Sequence, residues 1–346
     1  AVLASAGDGS AGKAAGLDVY AGGAGLVGVG AAIGLARLEQ TVSATVAGDL
    51  QAGSQGQGLA VRASDASTLD VTATGMAAGA LAAGAVVATA ARNANVQAWL
   101  HNDSTLAGFG NVTFAASSLG GAHAGAWGAA GGVLAGVSAA VALADDGSDV
   151  RAWLGERTRV SGVGGSIEVH AEAAPQVSAE AFGAALAGGL AVGAAVADAT
   201  ARAKVDAHVG DGAVLSNRGG LDILASVHGG SVDARAVAGS GGLYLAGAGA
   251  FATAASTNAV QAALGSNVVV QGEAYSTNNI IDYARGGTIA MRAVNNSHQH
   301  ADATGLSVAG LLAAGVVDAN ARSSATTGVT VGAGGLLYAG STTLAA

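Results

Sequence analysis

The chain has 346 residues with 58 Gly and one Pro, and it carries a formal charge of -9 with only 14 Lys and Arg. So few cations exclude binding along a phosphate backbone, so no nucleic-acid partner is expected, and the absence of Cys excludes disulfides, Cys-ligated zinc and thiol catalysis. A hydrophobic fraction of 51% and a mean hydropathy of +0.48 exclude a disordered Gly-rich linker, while Gly without a period of three excludes collagen.

The first element, Leu17-Asp18-Val19-Tyr20, alternates as a strand does and runs into Gly23-Ala24-Gly25-Leu26-Val27-Gly28, with Asp49 further on. That pattern matches the dinucleotide fingerprint G-x-G-x-x-G. The same glycines return as Gly131-Gly132-Val133-Leu134-Ala135-Gly136 and Gly241-Gly242-Leu243-Tyr244-Leu245-Ala246, so they belong to a repeat and not to one phosphate site. A Val-x-Ala-x-Leu/Val segment recurs at Val42, Val96, Val150, Val205 and Val260, in steps of 54, 54, 55 and 55 residues. A second motif keeps the same beat at Leu59, Val112, Ile167 and Leu221, and Val317-Asp318-Ala319-Asn320-Ala321-Arg322 repeats the segment 197–202 at a distance of 120. Periodicity on this scale predicts one elongated array, an all-β parallel β-solenoid (β-helix) of five to six repeats of about 54 residues. The units are approximately 1–63, 64–117, 118–174, 175–227, 228–293 and 294–346. Both ends fall inside a repeat, as expected of a piece of a longer chain.

The clearest element is the stretch 190–209, whose odd positions from Ala191 to Val209 are all Ala, Gly or Val. Only a β-strand turns such alternation into two faces. The face of Ala, Gly and Ser predicts two layers closer together than the usual ~10 Å between sheets. The other face, large and apolar, is expected to be covered, either by another layer of the same coil or by a second chain. Its self-association candidates are Val133, Val137, Val141, Leu190, Val192, Val196, Leu243, Leu245 and Phe251. Gly131-Gly132, Gly188-Gly189 and Gly241-Gly242 are the expected corners, and the period fits either two coils of about 27 residues per unit or one short and one long. The uncharged run from Ala126 to Ala144 approaches the length of a membrane helix, but its equivalents carry Asp198 and Arg202 in unbroken two-residue phase, which favours strand. An extra segment, Asn278 to Arg285, is expected to loop out of the stack.

Few residues suggest a chemical site. Asp145, Asp146 and Asp149 sit in a turn and are weak calcium candidates, lacking the nonapeptide calcium repeat. His298, His300 and Asp302 alternate on one face and read as solvated rather than zinc-binding. Trp99 and Trp153 lie one period apart, where His208 follows in the next unit, and suit packing or stacking on sugars. No Ser/His/Asp set and no paired carboxylates stand out, so no enzymatic activity and no cofactor are expected.

With Gly188-Gly189-Leu190-Ala191-Val192-Gly193-Ala194-Ala195-Val196-Ala197, then 205–214 and Gly219-Gly220-Leu221-Asp222-Ile223-Leu224-Ala225, the chain resembles the repeat regions of large bacterial surface proteins. It looks like the leukotoxin-type filamentous adhesins and, more loosely, the filamentous haemagglutinin family. The resemblance implies secretion, a right-handed parallel β-helix and a role in adhesion, cell-surface filaments or biofilm matrix. The expected function is therefore a structural segment of a secreted adhesin or extracellular filament. Its expected partners are further copies of itself, polymerised or laterally associated, with a glycan or a host or biofilm surface as a further partner. A glycan-binding β-helix module is the alternative, and a β-helical polysaccharide-active enzyme is third in order.

Overall fold

Strict alternation of small inward and varied outward side chains leaves the backbone extended nearly everywhere. The computed structural model describes residues 2–7, 13–53, 56–272, 274–277, 280–283 and 286–346, and among them it is all strand and turn, with no helix. It has large parallel sheets, compatible with a β-solenoid. The five Val-led segments stack directly above one another, Val42 on Val96, Val150, Val205 and Val260 in turn. Leu59, Val112, Ile167, Leu221 and Ile289 form a second such column.

Each residue therefore meets its equivalent one full repeat later, and a repeat is a single coil rather than the two expected. In the coil that starts at Ser166–Ala173, the chain leaves a corner at Pro175, runs out along Gln176–Ala187, turns at Gly188-Gly189 and returns along Leu190–Ala201. It then follows Lys204–Val209, a turn, and Val214–Asn217 before the next coil begins. The out-and-back pair forms a flat blade, and the other three segments enclose a prism.

The two parts have different cores because they have different inward residues. The prism is packed with Leu, Val, Ile and Phe, including Leu100, Phe114, Leu154, Ile167 and Leu215. Its third wall is a six-stranded sheet of very short strands that begins at Asp49–Gln51 and ends at Leu336–Leu337. The blade is packed mostly with Ala: Ala179 and Ala181 face Ala195, Ala197 and Ala199, all at most 3% exposed. Toward the tip even Ala is too large. A Cβ on Gly183 would lie 2.0 Å from the Ala194 carbonyl oxygen of the facing layer, so backbone meets backbone there. The thin core expected from the small-residue face is present.

Turns repeat as faithfully as strands. The amides of Gly155, Gly210, Gly265 and Gly332 each donate to the carbonyl of the Leu or Val ending the equivalent strand one coil earlier, at 2.7–2.9 Å. Asp103, Arg157, Gly212, Asn267 and Gly334, near the middle of these turns, all have left-handed φ between 54° and 74°. Gly, Asn and Asp tolerate that conformation, whereas Arg pays for it; Arg157 Nε donates to Asp103 Oδ1 at 2.7 Å and Nη2 to Oδ2 at 2.9 Å.

Two expectations need correction. The last copy stacks two residues away from the register read from the sequence, since Asp318 lies opposite Phe251, which lies opposite Val196, not Asp198. The inserted segment is a hairpin, Ala274–Thr277 antiparallel to Ile280–Tyr283, paired with no other strand among the described residues; Asn278, Asn279, Ala284 and Arg285 lie outside the described residues. The glycines of the fingerprint Gly23–Gly28 belong to the repeat strand Lys13–Val46, and among the described residues no helix follows them to receive a phosphate.

Candidate functional site

Because inward positions are taken by Ala, the large apolar residues of the blade can only point outward. All nine self-association candidates do so, and among the described residues no layer of the same coil covers them; Val133 and Leu243, at the tip, are 70% and 64% exposed. They stack into columns across coils. Ile33, Val87, Val141, Val196 and Phe251 form one, and Val137 with Val192 and Leu190 with Leu245 belong to two others. The opposite face of the same blade holds a shallow apolar trough of about 580 Å³. Gly22, Ala78, Ala129, Gly131 and Ala184 line it, together with the larger side chains of Met76 and Leu186. One side of the blade is thus a ridge and the other a hollow.

The prism carries a different feature on the outer face of its Val-led strands. Trp99 and Trp153 stack with ring centroids 4.9 Å apart and planes 3° apart, and Trp153 and His208 continue the stack at 5.9 Å and 8°. Parallel strands bring equivalent residues to about the 4.8 Å strand spacing, close to that of stacked rings. The column then breaks at Ala263 and resumes as Thr330. A cleft of about 520 Å³ opens at the break, lined by Trp153, His208, Asp206, Gln261, Asp211 and Glu156 among others. His208 Nδ1 lies 3.0 Å from Asp206 Oδ2, two residues earlier on the same face, which fixes the imidazole plane.

The three weak calcium candidates are not brought together. Asp145 pairs with Arg202, Asp146 with Arg92 and Asp149 with Arg151, because alternation sends adjacent Asp145 and Asp146 to opposite faces. Among the described residues no three His, Asp or Glu side chains are grouped to hold a metal ion. His298 and His300 are exposed on an outer face, and Asp302 faces Arg235 at 3.8 Å. The run 126–144 lies within the strand Gly121–Asp146, and among the described residues no helix is long and apolar enough to cross a membrane.

A buried polar cluster, missed by sequence reasoning, joins blade to prism. Arg92, 1% exposed, spends all its donors inside: Nε donates to Ser67 at 3.2 Å, Nη1 to Asp146 at 2.9 Å and Ser148 at 3.1 Å, and Nη2 to Asp65 and to Ser118 at 3.0 Å. Two carboxylates share one guanidinium, and burial pushes the Asp146 carboxyl up while Arg92 and Ser148 pull it down, with burial the larger effect. The signal was present: Arg92 is in phase with Ala88, Ala90, Ala94 and Val96, one repeat before Asp146. On the outside of the prism, the His170 ring beside Asp222, with Arg292 on its other side, holds the Asp222 carboxyl below its usual range.

No family model matches the chain, and no curated protein or solved structure is significantly similar to it.

Proposed function

We propose that this chain is a structural segment of a secreted bacterial surface adhesin or extracellular filament, in which stacked coils supply length and the blades associate with those of other copies. The observation that carries the reading is the apolar column Ile33, Val87, Val141, Val196 and Phe251, continuous over five coils before Asp318, which lies on an outer face with no strand over it among the described residues. Flanking columns widen it into a patch of the kind that marks association surfaces. Ridge and hollow lie on opposite sides of one blade, so seating the ridge of one copy in the hollow of the next joins unlike surfaces. Such a contact does not close on itself and propagates into a fibre or lateral array. The extracellular setting is carried by the resemblance of the repeat motifs.

Sedimentation velocity and electron microscopy test this reading. The purified chain is expected to form ordered assemblies at high micromolar concentration, and a Leu190→Glu/Leu245→Glu variant is expected to remain dispersed with an unchanged circular dichroism spectrum. A wild-type chain that stays monomeric under these conditions would refute the reading.

A further inference from the structure

We propose that the break in the ring column at Ala263 is a binding site for one sugar ring of a neutral glycan. The column reads Thr45, Trp99, Trp153, His208, Ala263, Thr330 from coil to coil. At about 4.8 Å per coil, His208 and Thr330 are roughly 10 Å apart. Ala263 fills only the floor between them, leaving a slot one ring thick directly over the imidazole face. Trp99, Trp153 and His208 are already stacked nearly parallel, so a ring entering the slot continues an arrangement the protein has built and loses no side-chain freedom in doing so.

The surroundings select the ligand. A pyranose offers a C–H face to the negative face of an aromatic ring and a rim of hydroxyl donors at its edge. Around the slot stand acceptors: the carboxylates of Asp206, Asp211 and Glu156, and the amide of Gln261. Hydroxyl donors bonded to carboxylates make short, strong hydrogen bonds. With His208 Nδ1 donating to Asp206, its Nε2 is left for a ligand hydroxyl. Arg157 offsets Glu156 at 3.2 Å, but Asp206 and Asp211 still place negative charge beside the slot and disfavour uronic and sulfated sugars, so the class is neutral. The cleft of about 520 Å³ is within the range of small-ligand sites, ~300–1,000 Å³. It lies on the prism and shares no residue with the blade faces, so the site stands or falls apart from blade association.

Isothermal titration and tryptophan fluorescence of the purified chain against cellohexaose, mannohexaose, a neutral galactan hexamer and trigalacturonate provide the test. At least one neutral oligomer is expected to bind with Kd between about 10 μM and 1 mM, and trigalacturonate at least tenfold more weakly. Ala263→Trp, which completes the column and fills the slot, and His208→Ala, which removes the ring that the sugar stacks on, are each expected to weaken binding at least tenfold, while Trp127→Leu, on the blade, leaves it unchanged. Failure of all three neutral oligomers to bind at about 10 mM overturns the proposal. So does trigalacturonate binding as tightly as the neutral oligomers, or His208→Ala binding like wild type.

Discussion

Replacing Arg92 with Leu is expected to lower the unfolding free energy by about 3–5 kcal/mol, because it leaves buried carboxylates without their counter-ion. Asp65 and Asp146 both have side-chain exposures of 0% and both pair with this one guanidinium. Leu replaces much of the volume, so the loss measures electrostatics and hydrogen bonding more than a cavity. The array itself shows an alternative solution. In the coils that follow, the column of Arg92 and Asp146 continues as Ala201, and that of Asp65 and Ser118 as Ala173. A triple Asp65→Ala/Arg92→Leu/Asp146→Ala variant is therefore expected to recover most of the loss, as apolar replacement of buried ion sets does. Urea midpoints at constant slope would report both changes. A shift below about 1 kcal/mol for Arg92→Leu, the size of an exposed pair, would show that the cluster is solvated in solution.

The same cluster predicts a pH dependence of unusual sign. Two carboxylates and one guanidinium leave one buried negative charge unbalanced, and burial raises the Asp146 carboxyl above its unfolded value. A group whose folded pKa is raised binds its proton more tightly in the folded chain. Its stabilising contribution is full below the unfolded carboxylate range and is lost as pH rises through the raised folded value. Asp146→Asn, which mimics the protonated acid, is expected to remove this part of the pH dependence and to cost far less than Arg92→Leu. Asp222 behaves oppositely. Its carboxyl is held low by His170, so its smaller contribution is present above the unfolded range and lost as pH falls through the lowered value. Urea titrations of wild type and Asp146→Asn across the carboxylate range check the sign.

Much of this architecture can be read from alternation and period alone. Val42, Val96, Val150, Val205 and Val260 stack because a constant step in a strand-only chain leaves parallel pairing as the simplest way to satisfy every backbone group. The Ala face at 195, 197 and 199 announces a thin layer, whereas the outward large residues announce only a face in need of cover and not what covers it; among the described residues no layer of the same coil does so. Other features leave no such trace. A period fixes the length of a coil but not its number of walls, and the third wall is built from strands such as Thr105–Ala107 and Val269–Gln271, too short to alternate visibly. The two-residue slip of the last coil is silent because it returns every side chain to its own face. Arg92 was legible by phase, but a lone charge in an Ala run reads as surface until its partner one repeat away is considered. The ring column was half legible: the one-period spacing of Trp99 and Trp153 gave the stack, whereas the slot depends on what Ala263 lacks.

A single methyl group at the blade tip is expected to be as damaging as a lost core side chain. Gly183→Ala would place its Cβ 2.0 Å from the Ala194 carbonyl oxygen, with the carbonyl carbon 2.8 Å away. The obstacle is backbone on the facing layer, held in register by coils on both sides, so no rotamer change relieves it. Overpacking commonly costs about 1–3 kcal/mol and more where nothing can yield; here at least about 3 kcal/mol is expected. Against that, replacing Gly in a strand gains only about 0.5–1 kcal/mol from the entropy of the unfolded chain, so the clash decides the sign. Gly131→Ala supplies the control. It lies on the same blade with nothing within 4 Å of an added Cβ, and only the entropic gain should appear. Because each coil leans on its neighbours, the damage from Gly183→Ala should spread to the equivalent tips of the adjacent coils. Hydrogen exchange would then show lost protection at Gly128 and Ala238, which pair with Gly183 in the coils on either side, and retained protection in the prism. Equal stabilities for the two variants would mean that the two layers stand further apart than the Ala and Gly positions between them require.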